Sequence, residues 1–564
     1  MDSAFIAEAA DAYRAALKAG RRLVAERNAE GRSGLLPVLE PLLAGSGGEI
    51  PLGLFEIPLQ KIRGTFAAGR SHALSAGFLP LLEEKSEFAA KWQALCASAL
   101  EKGITQPIKV YEYIGHYYVL EGHKRVSVAN ALSNYSLHAD VTRLIPLPGV
   151  ETPDIAVYNE LLGNDRKKVI KHMWFSSPGR YPELLGMAGG DQELLEDSFA
   201  AFRAAYHKQG YHQDLHEITT GDAFWQYAKI YGLPDGAHEK ELQKTLTRCR
   251  PQWELLANPE PVQTVTTPSA ARVKPFIHFQ RGSLPSVTFS ISTHSPFSAE
   301  AHQAGCFLLK RAFPELSVTT VEGLPDETKG DVLFVTDPAY TGQALRAALE
   351  HKHSLVYLCH DEPVGVTGTY TAEPKEAAFL LGVLAGSLSA SARVGWLRPA
   401  YCHGGRGHDV QAFAQGAIAS RPAARVYTAG VEDREAFRRW AERGVDMVVM
   451  PRMPLGTRPS VKAFPGVYAA LCSLSQNGAV VEKLAAASLH WEAFYIRLIK
   501  GIIEGVSPPD HIHYRMGLDS GVLGLHLTSH ASGAKQCLDA FRHALTSGLI
   551  APVDEKSPVE VYET

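Results

Sequence analysis

Over the first thirty positions, Phe5, Ala9, Tyr13, Ala16 and Leu23 recur near helical spacing, which predicts an amphipathic helix across 1–30. Proline and glycine punctuate 35–54 and lead into Phe55-Glu56-Ile57-Pro58-Leu59. A second helix is predicted over 86–102, opened by Ser86 and closed by Gly103 at the C-cap. Then follows a compact unit: a strand 107–113, a turn Ile114-Gly115-His116, a strand 117–120, a glycine turn, a helix 126–132 and a strand 138–145. From 151 to 260 the pattern is mostly helical, broken by Trp174-Phe-Ser-Ser-Pro-Gly-Arg180. Residues 257–270 are proline- and threonine-rich without periodicity and read as a linker.

Beyond 285 short apolar runs alternate with helical segments: 287–292 then 299–312; 332–335 then 341–351; 355–359 then 375–388. The same rhythm continues through 394–397 then 409–419, 425–428 then 433–443, and 446–450. Crossover helices between buried strands are what a parallel sheet demands. Eight or so such units exceed one doubly wound sheet, so two Rossmann-like lobes with a cleft between them are expected. The fold class is therefore α/β, preceded by an α+β domain. The predicted boundaries are 1–150, a helical connecting region 151–260, a linker 261–284 and the two-lobed domain 285–564.

With 564 residues the chain is too long for one core. Apolar residues at 45% and charged ones at 21% are those of an ordinary globular protein, and a net charge of −4 argues against coating nucleic acid by charge alone. The opening segment carries Asp2, Glu8, Asp11, Arg14 and Lys18, unlike the apolar stretch of a secretion signal, and no run predicts membrane insertion. Seven scattered cysteines form no CxxC pair. A cytoplasmic location is the expectation.

The clearest local chemistry is Glu121-Gly122-His123-Lys124-Arg125. A glycine turn opening a helix offers backbone N–H groups and the positive end of the helix dipole, and Lys124 and Arg125 add two cations. This predicts an anion site, most simply for phosphate, against the alternative of a solvated helix start. Gln106-Pro107-Ile108, Tyr117-Tyr118-Val119-Leu120 and the Gly122–Arg125 box followed by Ala129 resemble the ParB/sulfiredoxin-like N-terminal domain, over roughly 50–145. The resemblance implies nucleotide-phosphate binding, CTP or ATP, by Gln106, Glu121, Gly122, His123, Lys124 and Arg125. The box holds no cysteine, so sulfiredoxin chemistry is not implied, and no helix-turn-helix follows it.

In the second half, Glu376-Ala-Ala-Phe-Leu-Leu-Gly-Val-Leu-Ala-Gly386, Ala392-Arg-Val-Gly-Trp-Leu397, Gln411-Ala-Phe-Ala-Gln-Gly-Ala417 and Gly444-Val-Asp-Met-Val-Val449 resemble the basic membrane protein family. This is the purine-nucleoside-binding group of the type I periplasmic-binding fold. The helix's small residues Gly382, Ala385 and Gly386 are expected to let it lie close against the sheet. Ligands of such folds bind beyond the carboxyl ends of strands. That nominates His294, Ser295, Phe297, Asp337, Tyr340, Tyr401, His403, Arg406 and Arg452, with the aromatics stacking on a planar base and Asp337 and Arg452 holding hydroxyl or ring-edge atoms. The region 294–298 and the loop 464–468 depart from the family's binding loops.

Three histidine groupings (His212 with His216; His403 with His408 and Asp409; His511 with His513) read as structural before they read as metal sites. No catalytic residue, metal or required cofactor is nominated. The expectation is a small-molecule sensor, its ligand a nucleoside or related metabolite, coupled to a nucleotide-binding module. The alternatives are a solute-binding component of an importer, a nucleotide-dependent kinase and a DNA-binding regulator. DNA is neither supported nor excluded by the pattern, and a homo-oligomer is left open.

Overall fold

The computed structural model describes residues 3–563 except 41–46, 71, 148, 150–151, 164, 169–172, 212–217, 258–262, 267–283, 293–298, 325–329, 351–354, 399–405, 452–466, 506–511 and 555. The chain divides into two compact units, Met1–Trp225 with Leu233–Ala237, and Gln226–Gly232 with His238–Thr564.

The first unit is built on a five-stranded sheet in the order β1-β5-β3-β4-β2. Its strands are β1 (Glu49–Pro58), β2 (Ile62–Thr65), β3 (Ile108–Tyr113), β4 (His116–Glu121) and β5 (Ser136–Leu144). β3 and β4 form the predicted hairpin, and Ile114 and Gly115 both take positive φ (49° and 72°), as a two-residue hairpin turn requires. Alternation along β3 and β5 puts Ile108, Val110, Ala139 and Val141 on one face, where Val126 and Ala129 of the helix His123–Ala131 cover them. Helices Ser3–Ala29 and Glu87–Lys102 add a second layer: Trp92 packs edge-on to Tyr13 at 5.2 Å and donates from Nε1 to Ser127 at 2.9 Å. Ser86 caps the second helix by accepting from Ala89 N, which is why it begins there.

Further along this unit lie helices Pro153–Leu162, Arg180–Met187 and Gln192–Lys208. Trp174, between them, packs near His116 and Tyr158 with centroids 6.4 Å from each, so it is an aromatic anchor. Tyr158 donates to Glu112 Oε2 at 2.7 Å, and Glu112 is ion-paired with Arg143; the two charged side chains are only 3% and 2% exposed.

The second unit holds two seven-stranded sheets. One, in the order β6-β17-β11-β10-β9-β7-β8, is parallel throughout. It comprises β6 (Gln263–Val265), β7 (Val287–Ile291), β8 (Val318–Glu322), β9 (Val332–Val335), β10 (Leu355–Cys359), β11 (Gly368–Ala372) and β17 (Ile512–Met516). The other runs β18-β16-β15-β14-β12-β13-β19. Its members are β12 (Arg393–Arg398), β13 (Arg425–Gly430), β14 (Met447–Pro451), β15 (Val467–Leu474), β16 (Val480–Leu489), β18 (Leu523–Leu527) and β19 (Val561–Glu563). The chain crosses between the sheets three times: through the helix Pro374–Leu388, through the helix Trp491–Ile503, and along 517–522. Two Rossmann-like lobes joined by three crossings are the α/β architecture that the strand rhythm predicts.

Three features differ from the sequence reading. Gln263–Val265, read as part of a linker, forms a short edge strand paired with β17. The run of parallel units ends at β14: β15, β16 and β18 are antiparallel, with β15 and β16 joined by a tight turn in which Gly478 takes φ 79°. A parallel neighbour needs a crossover over one face, whereas an antiparallel one is reached by a simple return. Finally, the small residues of the helix Pro374–Leu388 face another helix, Arg406–Ser420, and not the sheet. A Cβ on Gly382 would overlap the Phe413 carbonyl oxygen, and one on Gly416 the Phe379 carbonyl oxygen.

Candidate functional site

Because its strands are parallel, the first sheet of the second unit presents all their carboxyl ends along one edge. β9, β10 and β11 deliver Asp337, Asp361 and Glu373 there. Asp337 is buried, and its Oδ1 accepts from Ala339 N at 2.9 Å, capping a short turn. The ring of Tyr340 packs against the small core of Leu333, Val335 and Ala344, so this predicted cleft residue is a packing residue on the sheet's flank. His294, Ser295, Phe297, Tyr401, His403 and Arg452, nominated for the same cleft, lie outside the described residues, as does the side chain of Arg406.

The edge is richer in carboxylates than the motifs foretold. Thr371 donates from Oγ1 to Asp361 Oδ1 at 2.8 Å, and Arg515 donates from Nε to Glu373 Oε1 at 2.7 Å. Glu376, in the first turn of Pro374–Leu388, accepts from Leu518 N at 2.7 Å; burial raises its pKa against that bond, with Asp519 and Glu373 adding to the rise. From the second lobe come Asp409, in the first turn of Arg406–Ser420, and Tyr468 on β15. Burial pushes the Asp409 carboxyl up to about 6; Lys375 opposes, while Glu373 and Asp361 push the same way. The Tyr468 hydroxyl is buried with no hydrogen-bond partner among the described residues, and its pKa is raised by burial, then by Asp409 and Glu376. Groups from both lobes thus act on one another across one polar, partly desolvated place. In the sequence, Asp409 stands out only within a histidine grouping that reads as structural, and Tyr468 only at the end of the loop 464–468; burial sets both apart in the structure.

A groove of about 700 Å³ lined by Arg393, Tyr427, Arg443, Tyr562 and Glu563 lies elsewhere, along β13 and β19, and includes none of these carboxylates.

In the first unit, Gly122 is the left-handed start (φ 106°) of the helix His123–Ala131, and a Cβ there would fall 2.6 Å from Ile108 Cγ2. The side chains of the predicted phosphate box are engaged with the protein. Arg125 donates from Nη1 back to the carbonyl oxygens of Gln106 and Pro107, and lies 3.8 Å from Glu121. Lys109 lies 3.5 Å from the other Glu121 oxygen. His123 Nε2 is 2.9 Å from Thr65 Oγ1, and Lys124 Nζ lies 5.2 Å from the Phe88 ring centroid. Gln106 is exposed and meets Arg125 through its backbone oxygen. The motif is therefore brought together in space, with Arg125 bracing the segment that enters β3 and Lys124 over Phe88 of the helix Glu87–Lys102.

His513 on β17 is a buried structural histidine, its Nδ1 2.8 Å from Thr369 Oγ1; burial, then Arg515 and His360, lowers its pKa to about 4. His212, His216 and His511 lie outside the described residues. Among the described residues no group of three or more His, Cys, Asp or Glu has metal-binding geometry, and no helix is long and apolar enough to cross a membrane.

No family model and no curated protein matches the chain. Among solved structures, a transcriptional activator of the comK gene from Bacillus halodurans is similar at 12% identity and a TM-score of 0.32, covering 47% of this chain and 98% of its own. A solute-binding protein of an ABC transporter system from Aeropyrum pernix K1 gives 11% and 0.33, with 48% and 94% covered. A Mycobacterium smegmatis ABC transporter solute-binding protein with bound glycerol gives 14% and 0.28, with 44% and 96% covered. At these values the assignment of the fold rests on the strand order and the three crossings described above.

Proposed function

We propose that the two-lobed unit binds a small polar molecule between its lobes. The observation that carries this reading is the Asp409–Tyr468 pair from one lobe: a half-buried carboxyl under the charge of Asp361 and Glu373 of the other lobe, and a buried hydroxyl without a hydrogen-bond partner among the described residues. A buried hydroxyl without a partner costs about 1–3 kcal/mol, which a ligand's polar group recovers. Carboxylates accept only, so the preferred ligand brings hydrogen-bond donors, as the ribose hydroxyls of a nucleoside do. The N-terminal module, with Gly122 opening a helix, is proposed to take the phosphates of CTP or ATP mainly through backbone N–H groups, the two sites together acting as a sensor.

A thermal-shift screen of nucleosides and other small polyols against the full chain tests this. A ligand at 100 times its Kd adds about 2.7 kcal/mol to stability. Asp409→Asn and Tyr468→Phe are expected to weaken binding at least tenfold. Shifts as large in both variants as in the wild-type chain, or no compound shifting the transition, would overturn the reading. For the module, Gly122→Ala is expected to abolish nucleotide binding.

A further inference from the structure

β16 and β18 pair antiparallel, with Ser488 opposite Gly524 and Ala486 opposite His526, so Ser488 and His526 are diagonal neighbours on one face. His490 and Glu492 follow where β16 leads into the helix Trp491–Ile503. Ser488 Oγ lies 2.9 Å from Nε2 of His490 and 2.9 Å from Nε2 of His526, and the two Nε2 atoms are 3.4 Å apart. On the far side of the ring, His490 Nδ1 is 3.2 Å from Glu492 Oε1.

We infer that His490 and His526 form a binding site for a borderline divalent transition metal, with zinc or nickel as the simplest occupants and the Ser488 hydroxyl beside it. Two imidazole nitrogens each about 2.0–2.1 Å from one tetrahedral zinc lie about 3.3–3.4 Å apart, which matches the observed separation. A ligating histidine characteristically donates its other N–H to a carboxylate, and Glu492 does this for His490, presenting Nε2 unprotonated to the ion. The position is open: His526 is exposed, and Gly524 leaves clear a volume where a Cβ would lie 2.9 Å from His490 Nε2 and 3.1 Å from Ser488 Oγ. Water completes the coordination.

Ser488, His490 and Glu492 also trace the connectivity of a serine–histidine–carboxylate triad. However, Ser488 is 2% exposed within a paired strand, with an imidazole on each side of its Oγ, which leaves a carbonyl carbon no approach. His490 lies at the second crossing between the lobes, and His526 lies on the strand that follows the third.

Calorimetric titration of the chelator-stripped full chain with Zn²⁺, and separately with Ni²⁺, is the test. The expected result is one saturable equivalent per chain. His526→Ala, at an exposed position on an edge strand, is expected to weaken it at least tenfold with an unchanged circular dichroism spectrum. Glu492→Gln is expected to weaken it 10–100-fold. X-ray absorption of the zinc-loaded protein is expected to show two imidazoles in the first shell. Absence of saturable binding at 100 µM metal, or wild-type affinity in His526→Ala, would overturn the inference.

Discussion

Asp409 shows how burial alone makes a residue consequential. Its folded pKa of about 6 stands above the ordinary 3.8, so between those values the folded chain binds more protons than the unfolded one. Stability therefore falls as pH rises from about 4 to 6, by about 3 kcal/mol for a shift of roughly two units. Chemical denaturation across that range should show this slope in the wild type and lose it in Asp409→Asn. His116 has the opposite sign. Burial, then Arg63 and Lys61, holds it at about 4, and its contribution, present above 6.5, disappears as pH falls toward 4. The Glu112–Arg143 pair is a third such case: Glu112→Gln leaves a buried guanidinium without its counter-charge, and about 3–5 kcal/mol should be lost in urea unfolding. The box residues make a related point. Gly122 and the basic run after it are visible in the chain, but that Arg125 folds back onto Gln106 and Pro107 is decided by the strand beside it.

Among elements, the helix pair Pro374–Leu388 and Arg406–Ser420 is held by reciprocal glycines, each against a carbonyl of the other helix. Backbone cannot yield as a flexible side chain does. Gly382→Ala or Gly416→Ala should therefore cost at least the 1–3 kcal/mol typical of overpacking, read as a lowered midpoint in thermal denaturation. The small-residue stripe is plain in the sequence; the face it packs against is not, because any closely approaching backbone requires the same residues. β8 and β6 escaped the pattern for a different reason. Both are short edge strands, and β8 is largely exposed, so neither shows the apolar run that marks β7, β9 and β10.

For the whole molecule, the two compact units predict two calorimetric transitions. A ligand of the interlobe cleft raises only the transition of its own unit if the units act independently, and raises both if binding is coupled to the first unit. Nucleotide added to the chain should show the reverse pattern.

Read alone, the sequence determined most of the helices, the hairpin of the first unit, the switch to α/β rhythm after 285 and hence the lobes, because hydrophobic period and capping residues act over neighbouring positions. It also marked Gly122 and the small-residue helix. Only the tertiary structure decided that β15 and β16 run antiparallel, that Asp409 and Tyr468 come under the charge of acidic groups of the other lobe, and that His490 and His526 converge. Those outcomes depend on desolvation and on contacts between residues far apart in the chain, and no local pattern encodes either.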